Sequence, residues 1–294
     1  MRTTLPRASI AALALPLLLT GCSIFPTTRR LPVPKPPLIT QSATPEELVE
    51  RLNQRWNAIN TLTATVEIYA TQTKTAEGLE KDFPSCRGFI VMRKPKQLRV
   101  AGTYFGVKIF DMASDGQHFT LVMPTKNLAI EGPNTVTEKS TNSLENLRPD
   151  FFLNAIIVPG LDAEDEYMVE NDTETVEDTA KKHLFIEPEY ILNIMRRRTE
   201  HVHLPVRVVT FHRDDMLPYG QDIYDANGNA ETEITYSNYT DYNSAKYPSK
   251  VTIKRPQEGI QIVLSVIRVE ENVNLPASQF EVSIPDGAKV RTLH

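Results

Sequence analysis

The chain has 294 residues, 32 basic and 37 acidic, for a formal charge of −5. No basic stripe able to track phosphates accompanies this acidic balance, which excludes nucleic acid as a partner. With only two cysteines, Cys22 and Cys86, an apolar core rather than a disulfide framework must stabilise the fold.

Residues 1–21 read as a lipoprotein signal peptide. Arg2 and Arg7 form a positive start, Ala8 to Leu19 a short apolar run, and Leu19-Thr20-Gly21-Cys22 resembles the bacterial lipobox, after whose cleavage the cysteine carries lipid. The apolar run is too short for a comfortable membrane span. Cys22 is therefore the expected lipidation site, which leaves Cys86 as the one free thiol, opening a strand and expected to be buried. Residues 22–43, with Pro26, Pro32, Pro34, Pro36 and Pro37, read as a semi-rigid tether that sets a distance from the bilayer.

Thr44-Pro45-Glu46-Glu47 predicts a helix start, with Thr44 as N-cap, proline in the first turn and Glu47 as the reciprocal acid of a capping box. Leu48, Leu52, Trp56 and Ile59 share one stripe, so one face packs on a sheet and Trp56 reads as core. Leu62 to Ala70 alternates as a strand. Arg87 to Gly132 then reads as an antiparallel meander, its short apolar runs separated by turn signals at Lys94-Pro95, Gly102 to Gly106, Ser114 to Gly116 and Pro124 to Asn127. Leu147 to Ile157 predicts a second, short helix with an apolar face, stopped by Pro159-Gly160.

Asp162 to Asp178 is strongly acidic but lacks the glycine and terminal glutamate of a calcium loop, so it reads as a solvated loop and strand edge. Strands resume at His183 to Ile186 and Tyr190 to Met195 and continue to Gln261 to Val269, with a hairpin turn at Asp225-Ala226-Asn227-Gly228 and a last alternating strand at Phe280 to Pro285. His201 and His203, expected on one face of a strand, have no carboxylate or cysteine at ligand spacing, and no metal or cofactor is expected. No nucleophile elbow, phosphate loop, zinc-protease helix or dinucleotide fingerprint occurs, so an enzyme is not expected. Roughly twelve strands with two or three helices and no βαβ rhythm predict an α+β class with one large antiparallel sheet.

The order of these parts resembles the LolA/LolB-like family of periplasmic lipoprotein carriers and outer-membrane lipoprotein receptors. The features that carry the likeness are the lipobox, the tether, the capped helix, the TLTATVEIY strand, the RKP…LRV…G…SDGQ…P meander, a short helix ending in Pro-Gly and a final F-x-V-x-I-P. The resemblance implies a large curved antiparallel sheet, an incomplete β-barrel, with a helical lid, over residues 44–294. It implies that Asn146-Leu147-Arg148 to Pro159-Gly160 is the lid. Gly102-Thr103-Tyr104-Phe105-Gly106 is similar to the receptor's protruding loop, which places the membrane-insertion role on Phe105 beside Tyr104; Tyr104 stands where that loop carries proline. An apolar concave face would then be lined by Val66, Ile68, Phe89, Val91, Val100, Ile109, Phe119 and Val122, with Phe151 and Phe152 from the lid.

The function this implies is a lipid-anchored, non-enzymatic protein of the bacterial cell envelope, on the outer membrane and facing the periplasm. It would bind acyl chains of lipids or lipoproteins and assist their transfer or membrane insertion. The alternative is an envelope sensor or assembly scaffold of the same fold that binds a protein partner.

Overall fold

The computed structural model describes residues 40–74, 78–135, 147–178, 183–242 and 245–294. Cys22, the signal segment and most of the tether lie outside the described residues.

The helix α1 (Pro45–Ala58) begins as its sequence dictates. The Glu47 amide donates to Thr44 Oγ1 at 3.3 Å and the Thr44 amide to Glu47 Oε2 at 2.8 Å, which satisfies two of the donors that every helix start leaves unpaired. Leu48 and Leu52 are buried, while Trp56 is half-buried beneath the Lys94 ammonium, 4.1 Å from its ring centre.

The strands are β1 (Thr61–Lys74), β2 (Leu79–Arg93), β3 (Gln97–Tyr104), β4 (Val107–Ser114), β5 (His118–Met123), β6 (Leu128–Pro133), β7 (Asp165–Asp178), β8 (His183–Thr199), β9 (Val202–His212), β10 (Pro218–Tyr224), β11 (Ala230–Tyr242), β12 (Ala245–Arg255), β13 (Ile260–Glu271) and β14 (Lys289–Thr292). They form one sheet in the order β14-β6-β5-β4-β3-β2-β1-β13-β12-β11-β10-β9-β8-β7. All pairs are antiparallel except β14 on β6. The sheet stays open, with β14 and β7 as its two edges, and is an incomplete barrel. The second helix, α2 (Pro149–Ile156), lies over β3, β4 and β12 as the lid. Its Phe151, Phe152, Leu153 and Ile156 join the same buried cluster as the inward residues of the sheet.

Register fixes which side chains face the lid. Val66 pairs with Gly88, Ala64 with Ile90 and Leu62 with Met92, so Gly88, Ile90 and Met92 point inward from β2. A Cβ on Gly88 would lie 2.4 Å from Ile68 Cδ1, and glycine there lets Ile68 and Val66 lie flat on the neighbouring backbone. The hairpin expected at Asp225 to Gly228 is present, closed by the Asn229 carbonyl accepting from the Asp225 amide at 2.9 Å, with Gly228 at φ +83°.

Three expectations about elements need correction. The two short strands around Pro188 are one 17-residue strand, β8. Pro188 lies just beyond the last β8–β9 pair, Glu189 with His212, so the chain runs on there as half of a two-stranded arm with β7. His201 is in the exposed turn before β9, not on a strand with His203. Finally, Phe280 to Pro285 is not a strand. Its start is a short 3-10 turn, Ala277–Phe280, whose Phe280 packs with Leu275 on Val91 across the outer face. Phe280 is buried and Val282 and Ile284 are half-buried between exposed neighbours, so the segment alternates without pairing as a strand. The chain then reaches the sheet edge as β14.

Candidate functional site

The inward faces of β1–β5 and β13, together with α2, enclose a cavity of about 220 Å³. Ile68, Ala70, Thr71 and Gln72 of β1 form one wall, with Ile260 and Ile262 of β13 beside them. Phe83, Pro84 and Cys86 of β2 form another, with Pro84 at an irregularity: Ile68 pairs with Cys86 but Ala70 with Phe83, so two residues face one. Such a bulge admits proline, which has no amide to give the ladder. A second irregularity places Ile109 between the Gly102–Phe110 and Thr103–Lys108 pairs, and brings both Ile109 and Phe110 to the cavity. The Phe110 ring lies over Gly102, where a Cβ would approach its Cε1 to 2.4 Å. Leu121 and Met123 of β5, and Leu147 and Phe152 at the lid, complete the apolar lining. Thr125 and Lys126, in the turn after β5, lie at the same end of the strands as the β3–β4 turn.

The lid is held by the sheet through contacts that sequence patterning could not reveal. Its last carbonyls have no partner within the helix. Gln221 Nε2 donates to Asn154 O at 2.9 Å, Tyr247 Oη to Ile156 O at 2.5 Å and Arg207 Nη2 to Gly160 O at 2.9 Å. Two guanidinium groups stack on aromatic rings across the same contact, Arg148 of the lid 5.1 Å from the Phe119 ring centre and Arg255 of β12 3.7 Å from that of Phe151. The donors come from β9, β10 and β12, far from the lid in sequence, so only the folded register unites them.

Of the side chains expected to line the concave face, Ile68, Ile109 and Phe152 line the cavity, and so does Tyr104. Val66, Val100, Phe119 and Phe151 face inward but belong to the packed cluster around it. Phe89, Val91 and Val122, expected on the concave face, face the other way. Phe89 is 44% exposed, opposite Thr65. Val91 is buried in the separate outer cluster with Leu275 and Phe280. Val122 pairs with Asp111, on the opposite side from Leu121 and Met123, which belong to the inner cluster. Sequence reasoning missed Phe83, Cys86, Phe110, Leu121 and Met123 as lining residues, although the pairing of β1 with β2 fixes the first two once register is known. Burial pushes the Cys86 thiol up to about 11, with Glu67 adding to the effect, so it is an apolar wall element and not a nucleophile at neutral pH.

At the mouth, Tyr104-Phe105-Gly106 turns from β3 into β4 with Phe105 at φ +46° and Gly106 at φ +79°. Phe105 is 89% exposed and meets only the Tyr104 ring, edge to face at 4.6 Å, among the ring contacts of the described residues. Val107 follows it, also exposed. An apolar residue held outward in a left-handed conformation opposes both burial and backbone preference.

No protein-family model matches the chain, and no curated protein matches it in sequence. Among solved structures, a LolA superfamily protein from Nitrosomonas europaea superposes with a TM-score of 0.51 at 13% identity, over 82% of this chain and 99% of that one. A DUF1329 family protein from Desulfovibrio piger superposes with a TM-score of 0.53 at 14% identity, over 81% and 95% respectively. At these identities the likeness concerns the backbone, and the open antiparallel sheet with its helical lid is a LolA/LolB-like fold.

Proposed function

We infer that this protein binds acyl chains of lipids or lipoproteins in the cavity beside the lid and assists their transfer or insertion at a membrane of the bacterial envelope. The observation that carries the reading is the cavity itself: about 220 Å³, walled by isoleucine, phenylalanine, leucine and methionine, in a fold shared with a LolA superfamily protein. Each methylene moved from water into such a wall contributes about 0.8 kcal/mol. Eight of them supply roughly 6 kcal/mol before the cost of ordering the chain, enough for a reversible carrier and short of a permanent sink.

In this reading Cys22 carries the lipid anchor, the tether keeps the domain within reach of the outer membrane from its periplasmic side, and Phe105 with Tyr104 touches the bilayer where the cavity opens. The work is binding and release, with no bond made or broken and no cofactor. Native mass spectrometry of the protein with Cys22→Ala, purified from a bacterial envelope, tests it. A lipid-sized adduct that organic extraction removes is expected; a protein that carries no adduct and acquires none on incubation with lysophospholipid would contradict the reading.

A second reading, partner binding by a sensor or scaffold, is favoured by one feature. The edge strand β7 pairs on one side only, with β8, and its side chains are largely exposed. Crosslinking in the envelope that recovers one protein along β7 and no lipid favours this reading over the first.

A further inference from the structure

A second cavity, of about 230 Å³, opens at the opposite end of the strands, where β9 turns into β10 and β11 into β12. The lid separates the two: Phe152 lines the first, Ile156 and Ile157 the second. Its floor is apolar, with Leu52 of α1, Ile59 just after it, Phe211 near the end of β9 and Met216 from the β9–β10 connection, all buried. Tyrosines 236, 239 and 247 form a wall whose hydroxyls are engaged elsewhere, with Gln221 Nε2 at 3.4 Å, the Pro218 carbonyl, and the Ile156 carbonyl at 2.5 Å.

The charges of this cavity distinguish it. Arg51, Arg55 and Lys246 line it against the single acid Asp215. Arg55 is committed to Glu271 through hydrogen bonds of 2.5 and 3.2 Å, and Asp215 to the Leu217 amide at 2.9 Å and the Tyr219 hydroxyl at 3.1 Å. The Arg51 and Lys246 side chains are exposed and hold no ion pair or hydrogen bond among the described residues. Two uncommitted cations over an apolar floor, in a chain of formal charge −5, make a local exception to the overall field. A neutral alkyl ligand would leave both cations unused, and a cationic one would be repelled. A single chain with a carboxylate or phosphate head satisfies floor and rim together.

We propose that this second cavity is a binding site for a single-chain anionic amphiphile, its alkyl chain on the Leu52, Ile59 and Met216 floor and its carboxylate or phosphate at Arg51 and Lys246. The site is independent of the acyl-chain cavity on the other side of the lid and stands whether or not that cavity carries lipid.

The full chain with Cys22→Ala is titrated calorimetrically with decyl phosphate, decanoate and the neutral decyl maltoside, each below its micellar concentration. The same is done with Arg51→Gln combined with Lys246→Gln. Neither residue lines the first cavity, so the difference between the two proteins reports the second alone. The double change is expected to weaken decyl phosphate and decanoate binding about tenfold or more and to leave decyl maltoside unaltered. Should the double variant unfold early, the charge-preserving Arg51→Lys with Lys246→Arg is expected to bind as the parent does. Equal affinity of parent and double variant for decyl phosphate, or a charge-preserving variant as weak as the glutamine one, overturns the proposal. A parallel Ile109→Asp change, which alters the first cavity, is expected to lower decyl maltoside binding and to leave the difference in decyl phosphate affinity between parent and double variant as it was; unchanged decyl maltoside binding counts against the acyl-chain reading and leaves this one untouched.

Discussion

Replacing Phe105 with asparagine should separate membrane engagement from stability, and in opposite directions. Phe105 is 89% exposed and sits at φ +46°, so its side chain adds almost nothing to the folded core while its backbone is strained. A left-handed conformation costs a residue with a Cβ about 1–2 kcal/mol, and asparagine tolerates it best among residues other than glycine. Phe105→Asn should therefore leave unfolding free energy unchanged or raise it by up to about 1 kcal/mol. At a bilayer the balance reverses. Burying a phenylalanine side chain is worth about 1.5–3 kcal/mol, which corresponds to roughly a tenfold to hundredfold loss in vesicle partitioning when it is removed. The assay pairs urea unfolding with sedimentation on phosphatidylglycerol-containing vesicles, using the Cys22→Ala protein so that no anchor masks the loop. A variant that unfolds more easily by more than 1 kcal/mol would mean that the ring packs in the fold. One that binds vesicles as well as the parent would remove the loop from the membrane step.

Two further outcomes follow from buried polar groups. Burial, reinforced by Glu174, Asp172 and Glu187, pushes the Glu189 carboxyl up to about 7. The native state then holds a proton that the unfolded chain releases at lower pH, so stability should fall as pH rises from about 4.5 to about 7 and level off above, by at most about 3 kcal/mol. Glu189→Gln should flatten that slope in thermal melts taken across the window; an unchanged slope assigns the decline to other groups. Tyr247→Phe strips the donor from Ile156 O inside the lid contact, and a buried carbonyl left unpaired costs about 1–3 kcal/mol. Chemical denaturation should show that loss, and a shift within 0.5 kcal/mol of the parent, roughly the scatter of neutral surface changes, would mean that solvent replaces the hydroxyl.

Much of this fold could be read from the chain. The capping box at Thr44, the meander from Arg87, the hairpin at Asp225 and the short helix expected within Leu147 to Ile157 each carry local chemistry that specifies one conformation, and the structure contains all four, the helix spanning Pro149–Ile156. The candidate site was less legible, for a physical reason. In β2 both faces are apolar, with Gly88, Ile90 and Met92 inward and Phe89 and Val91 outward, because the C-terminal segment covers part of the outer face through Leu275 and Phe280. When both faces are covered, alternation no longer reports which one is the interior. The same ambiguity misplaced Val122. Bulges at Pro84 and Ile109 break the period further, and both residues line the cavity. Register with a neighbouring strand, a property of the folded sheet and not of one segment, resolves every one of these positions.

In the proposed function an acyl chain occupies the cavity walled by β1–β5, β13 and the lid. Photoactivatable palmitate carrying a diazirine near its methyl end, crosslinked to the Cys22→Ala protein and mapped by peptide mass spectrometry, tests it most directly. Labels are expected within Ile68 to Gln72, Phe83 to Cys86, Tyr104 to Phe110 and Leu121 to Lys126, the segments that contribute the cavity lining. Labels confined to the outer face, around Phe89 and Ile267, or no saturable labelling at all, would contradict it.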